Sequence, residues 1–124
     1  MNELTKAEEQ IMQILWKKKC AFVKDIIDEI KRPKPAYNTV STIIRTLERK
    51  KFVDHKSYGN SHQYFPTIEK STYTKLFMKR VIHNYFDNSL QQMVSFFSKE
   101  NDMDINEVDE AIKLMQEIKN QKRK

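Results

Sequence analysis

One glycine in 124 residues, Gly59 in "YGN", restricts this chain more than any other feature. Glycine takes positive φ at no steric cost, so a chain almost without it has little room for many tight hairpins. Gly59 and Asn60 separate two short runs, Phe52–Ser57 and Ser61–Phe65, that read as extended. Both turn residues tolerate positive φ, so the passage reads as one hairpin. The rest of the composition favours helix, with only three prolines and many Lys, Glu, Ile and Gln.

Periodicity places those helices. Thr5 with Glu8 makes a capping box, and Ala7, Ile11, Ile14 and Leu15 share one face, predicting a helix over about 5–18. "KKKC" closes it with lysines at the negative end of the helix dipole. Val23, Ile26, Ile27 and Ile30 predict a second helix over about 23–31, which "KRPKP" breaks because proline cannot continue a helix interior. Val40, Ile43, Ile44 and Leu47 predict a third over about 36–51. Its start is either capped poorly by Ala36 or begins later with Asn38 as the cap. Three helices and a hairpin within residues 1–67 describe a winged helix-turn-helix.

Past Pro66 the pattern is wholly helical. A segment over about 69–86 carries Tyr73, Phe77, Val81, Ile82, Tyr85 and Phe86, and one over about 88–99 carries Leu90, Met93, Val94, Phe96 and Phe97. After "NDMD", Asp104 and Glu107 open a last helix over about 105–121, with Ile105, Val108, Ile112, Met115 and Ile118 apolar. So short a helical tail cannot close a core alone, and its faces are expected to pair with a second copy. Tyr73, Phe77, Val81, Tyr85, Phe86, Leu90, Met93, Phe96, Phe97, Val108, Ile112 and Met115 are the expected dimer contacts. The expected fold is mainly α with a small β-hairpin: a winged-helix DNA-binding domain at 1–67 and an all-helical dimerisation domain at 68–124.

Charge points to the partner. The net charge is +6, and residues 1–67 carry 13 basic against 8 acidic side chains, whereas residues 68–124 carry 10 against 9. The excess in the winged part fits a polyanion. With Val40, Ile43, Ile44 and Leu47 turned inward, Asn38, Thr42, Arg45 and Arg49 face outward, flanked by Tyr37, Ser41 and Glu48 on one side and Thr39 and Thr46 on the other. An ordinary solvated face carries Glu, Lys and Gln, which favour helix more than Asn, Ser and Thr do. Short polar groups let a helix approach base edges in double-stranded DNA, and Arg49, Lys50 and Lys51 reach phosphates. In the hairpin, Lys56, Tyr58 and Asn60 are candidate DNA contacts, as are His55, Ser61 and His62.

Other classes fall away. The single Cys20 allows no internal disulfide and suits a reducing cytoplasm. No apolar run reaches about 18 residues, so no membrane insertion is expected. There is no Ser/His/Asp set, glycine-rich phosphate loop or HExxH motif, so neither an enzyme nor a cofactor is expected. His55 and His62 have no cysteine or carboxylate at ligand spacing, so no metal is expected. The alternative is a winged helix used as a protein-interaction module, which needs an exposed apolar patch that the third helix lacks.

"LTKAEEQIMQILW", "NTVSTIIRTLERKKFVDH" and "QYFP" together resemble the BlaI/MecI family of penicillinase and methicillin-resistance repressors. The resemblance covers the first domain closely, including Trp16, Thr39-Val40, Thr42 and Leu47-Glu48, and the second half by pattern. It implies a homodimeric repressor on a palindromic operator, with Asn38, Thr39, Ser41, Thr42 and Thr46 where family members contact DNA. Family members usually follow this helix with Lys-Gly; here Lys50-Lys51 stands there, so Lys51 is expected in the turn that glycine favours. The resemblance also implies derepression through a membrane sensor-protease, by cleavage at an Asn-Phe bond whose place Ser95-Phe96 takes here. The same residues also read as an apolar helix packing Phe96 and Phe97 across the dimer. Copper-responsive relatives carry cysteine pairs near the C-terminus, and this chain has none there.

Overall fold

A computed structural model describes residues 3–100 and 104–123, and the chain divides into two compact units, Met1–Phe77 and Met78–Lys124. The first holds α1 (Lys6–Lys18), α2 (Val23–Glu29), α3 (Tyr37–Arg49), β1 (Val53–Tyr58) and β2 (Ser61–Pro66). Helix α4 (Lys70–Phe86) begins in this unit; α5 (Leu90–Lys99) and α6 (Ile105–Lys122) belong to the second.

Local chemistry explains where the elements begin and end. Thr5 caps α1 by accepting from the Glu8 amide at 3.2 Å, and Glu8 accepts from the Thr5 amide at 2.9 Å. Helix α2 is two residues shorter than the pattern predicted, because Ile30 is already extended and the Lys34 amine donates to the carbonyls of Ile27, Asp28 and Ile30. Helix α3 starts at Tyr37 with Ala36 as its cap residue, so Asn38 lies inside the helix rather than capping it.

The far end of α3 is a Schellman turn. Phe52 N–H donates to Leu47 O at 2.9 Å and Lys51 N–H to Glu48 O at 3.0 Å, while Lys51 takes φ +69°. Leu47 and Phe52, the apolar pair such a turn brings together, are both buried. The lysine thus occupies the left-handed position that glycine favours, as its place in the sequence implied.

The wing is a two-stranded antiparallel sheet with Val53 opposite Pro66 and Tyr58 opposite Ser61. Only Gly59 of the turn pair has positive φ, which matches a type II′ turn; Asn60 does not share it. An isolated bridge adds a third edge that sequence patterning missed: Ala21 and Tyr64 exchange both backbone hydrogen bonds, at 2.9 and 2.8 Å. It ties the wing to the α1–α2 connection.

The core gathers Ile11, Met12 and Leu15 of α1, Val23 and Ile26 of α2, and Val40, Ile44 and Leu47 of α3 around Phe52 and Val53. Each fully buried aliphatic side chain contributes about 1.5–3 kcal/mol. On α1 the inward stripe takes Met12 and Glu8 and leaves Ala7 exposed, a rotation of the face expected from sequence. Tyr73, expected at a dimer interface, is instead part of this core. Its hydroxyl accepts from Leu4 N–H at 3.0 Å and its ring packs beside Trp16, Phe52 and Phe77. Phe77 is partly buried against the same core, and Trp16 donates its indole N–H to Ile68 O at 2.9 Å.

The second unit has no comparable interior. Among its described residues, no side chain of α5 or α6 is buried, and Ile105, Ile112, Leu114 and Met115 are each more than half exposed. Ser89 caps α5 and Asp104 makes a capping box with Glu107 on α6, so the two helices are defined locally. Phe86, Phe96 and Phe97 form a small aromatic cluster.

Glu8 is 5% exposed and receives the Lys50 amine at 2.9 Å on both carboxylate oxygens, tying α1 to the end of α3. Burial alone would raise its pKa; the Thr5 amide and the Lys50 hydrogen bond and charge outweigh it and hold Glu8 below the usual 4.5. Replacing Lys50 by alanine strands the carboxylate, and thermal or urea unfolding should show a loss of about 1–3 kcal/mol. A lowered folded pKa stabilises above the unfolded value, so the gap between wild type and variant should close as pH falls below 4.5. Lys51→Gly should stabilise by about 0.5–1 kcal/mol, the relief of left-handed strain less glycine's entropy, read as a higher melting temperature.

Candidate nucleic-acid interface

Helix α3 is amphipathic in a way that separates packing from display. Val40, Ile44 and Leu47 are buried and Ile43 partly so, while Tyr37, Asn38, Thr39, Thr42, Arg45 and Arg49 are exposed and Thr46 is half-buried. The exposed side chains bond mostly to their own helix. Thr42 Oγ1 donates to Asn38 O at 2.8 Å, Thr46 Oγ1 to Thr42 O at 3.0 Å, and Arg45 Nε to Ser41 O at 3.4 Å. Arg49 Nη2 donates to Thr46 Oγ1 at 3.0 Å. With no side chain capping its start, the first amides of α3 point outward at the positive end of the helix dipole.

Two residues expected on this face are used elsewhere. Ser41 is 8% exposed and turns toward the wing, because the helix rotates it to the edge of the buried stripe. Lys50 spends its amine on Glu8, so the cations left at this end of α3 are Arg49 and the exposed Lys51. In the wing, Lys56, Tyr58 and Asn60 are all exposed. The Lys56 amine sits 5.8 Å from the Tyr58 ring centroid, and Phe22 packs edge-on against the same ring. Phe65 of β2 is 37% exposed.

The fold also joins residues that lie apart in sequence. On the wing face turned to α3, His55, His62 and Tyr64 lie together, with the two imidazole centroids 4.3 Å apart. His55 Nδ1 meets the Glu48 carboxylate of α3, and Asp54 Oδ1 accepts from the His55 amide at 2.8 Å. A cleft of about 380 Å³ opens above them, lined also by Tyr37, Ser41 and Arg45. Burial first, then the Glu48 charge, holds the Tyr64 phenol above its usual 10.0 and keeps it neutral. Ligand spacing along the chain gives no sign of this group, because its members come from α3 and both strands.

A polar, cationic helix face standing beside a β-hairpin on a three-helix core defines a winged-helix DNA-binding protein. Residues 4–117 match the penicillinase repressor family, and the chain belongs to it. It is 30% identical over 109 residues to the methicillin resistance regulatory protein MecI of Staphylococcus aureus strain N315, covering 87% of this chain and 89% of that one. It is 23% identical over 122 residues to the penicillinase repressor of Bacillus licheniformis, covering 98% and 95%. Among solved structures, the DNA-binding domain of the repressor BlaI superposes with a TM-score of 0.51 at 26% identity, over 57% of this chain and 88% of that domain. The family is one of transcriptional repressors, not enzymes, and this chain is a DNA-binding repressor. Among the described residues, no helix is long and apolar enough to cross a membrane.

Proposed function

We propose that the chain represses as a homodimer on a palindromic operator, each copy placing α3 in a major groove and its wing along the flanking backbone. The outer side of α3 carries this reading. Thr42 and Thr46 already give their hydroxyl hydrogens to helix carbonyls, so each offers DNA an acceptor lone pair and a methyl. That pair of groups suits the amino hydrogens of adenine or cytosine and the methyl of thymine. Asn38, Thr39 and Arg45 join them in reading bases; Arg49, Lys51 and Lys56 neutralise phosphates; Tyr37, Tyr58 and Asn60 flank the contact. The uncapped start of α3 suits a phosphate oxygen.

The second unit supports the pairing, since many of its large apolar side chains stay exposed within one copy. Val81, Tyr85, Phe86, Leu90, Met93, Phe96, Phe97, Val108, Ile112 and Met115 make up the proposed interface, which would set two α3 helices about 34 Å apart, one turn of DNA. The repressor works in the cytoplasm, where Cys20 stays reduced. Release follows from a membrane sensor-protease pathway acting at Ser95-Phe96. That bond lies within α5, so cutting it severs α6 from the wing and halves the pairing surface.

Thr42→Ala and Arg45→Ala should weaken binding to a fragment of the gene's own promoter by about 1–3 kcal/mol and relax its sequence preference. Arg49→Ala should weaken promoter and random duplex alike and reduce the salt slope by about 1. Anisotropy titrations of both duplexes across salt concentrations check this, and equal losses on both for all three variants would refute the division of roles. Met115→Glu should give a monomer in sedimentation and lower promoter affinity about 10²–10⁴-fold, the share due to linkage of half-sites. A dimer that persists in Met115→Glu and Ile112→Glu alike would overturn the interface.

A further inference from the structure

Among the described residues, one group of side chains brings three metal-ligating atoms together: Glu48 of α3 with Asp54 and His55 of β1, all within 4.8 Å of one another. We infer that these three form a divalent transition-metal site, with water completing the coordination, that clamps the recognition helix to the wing and strengthens DNA binding.

Several observations converge on a cation there. The Glu48 and Asp54 carboxylates and one imidazole nitrogen of His55 lie within 4.8 Å of one another, and the two like charges are an arrangement that a cation relieves. Asp54 is held in place by the His55 amide at 2.8 Å, so its carboxylate is fixed beside the ring before any ion arrives. His62 sits one strand over, with its ring centroid 4.3 Å from that of His55 and its Nδ1 3.3 Å from the Ser57 hydroxyl, so it borders the three donors without joining them. The contact between Glu48 and His55 accounts for two of these groups, and the Asp54 carboxylate stands beside them as a third donor. Arg45 and Tyr64 also face the cleft. The Arg45 Nε donates to the Ser41 carbonyl rather than to Glu48, and Tyr64 is neutral.

Two carboxylates and an imidazole, with water in the fourth position, suit zinc, cobalt or a similar borderline ion. Tetrahedral coordination at about 2.0–2.2 Å sets donor atoms about 3.3–3.6 Å apart, so Glu48 and His55 part slightly and Asp54 draws in as the ion enters. Two consequences bear on DNA, and they rest on the reading of α3 and the wing as its contact surface. The ion cancels two negative charges on an edge that otherwise presents Arg49, Lys51 and Lys56 to phosphates. It also joins wing to helix, removing freedom that binding would otherwise have to freeze.

The test uses the metal-free full chain. Co²⁺ titration should show one ion per chain, with d–d absorption and no thiolate charge-transfer band, displaced by one equivalent of Zn²⁺. Glu48→Gln, His55→Ala and Asp54→Asn should each lower the affinity by at least about 10–100-fold. Asp54 is exposed, so that variant keeps the fold. Cys20→Ser and His83→Ala should leave it unchanged. One equivalent of Zn²⁺ should raise promoter affinity severalfold in wild type and not in Asp54→Asn. Uptake below stoichiometry at micromolar metal, uptake that survives all three ligand variants, or promoter affinity indifferent to bound metal would each overturn the proposal. Promoter binding by the metal-free chain separately reports whether the DNA reading itself stands.

Discussion

Lys51 reverses the chain at the end of α3 by entering the left-handed region, and this drives Phe52 back beneath Leu47. Without that reversal the helix would run on into solvent and the strand after it would have no anchor. With it, β1 leaves the core beside the helix it follows, and the wing stands next to the polar face of α3. The Ala21–Tyr64 bridge then fastens the second strand to the α1–α2 connection. The candidate DNA surface is thus assembled by one strained backbone position, the β1–β2 pairing and the long-range Ala21–Tyr64 bridge. The strain, of order 1–2 kcal/mol, is small beside the burial of Leu47 and Phe52 that it makes possible.

A single helix carries both the packing and the display, and the two compete at its edges. Ser41 and Lys50 are drawn in, the first by proximity to the buried stripe and the second by a carboxylate that would otherwise be stranded. Thr42, Arg45 and Arg49 stay out because nothing on α1 or α2 reaches them. Glu48 lies between these cases, half-buried against His55, where its charge also bears on Tyr64. The boundary between structural and functional residues therefore runs along the helix as a spiral, not as a clean split between two faces.

The second unit follows another logic. Its helices are well specified by Ser89 and by the Asp104–Glu107 box, but they present apolar rings and aliphatic chains that one copy leaves uncovered. Tyr73 and Phe77 belong to the first unit's core despite standing in the same helical pattern as Val81 and Tyr85. Periodicity identifies which side of a helix is apolar, and it is silent on what that side meets. Tyr73 was assigned wrongly for that reason, since its partners Leu4, Trp16 and Phe52 lie far back in the chain.

Element types and order were legible in the sequence, because the 3.6-residue spacing, two capping boxes and a lone glycine are local signals read within a few residues. The winged arrangement and the polar start of α3 followed from the same signals. Even the left-handed turn at Lys51 was visible, though only through the place a glycine usually holds. Tertiary structure alone decided the fate of Ser41, Lys50 and Tyr73, the pairing of Ala21 with Tyr64, and the convergence of Glu48 with Asp54 and His55. Those outcomes depend on contacts between residues distant in sequence, whose positions are fixed only when the helices have packed and the wing has docked.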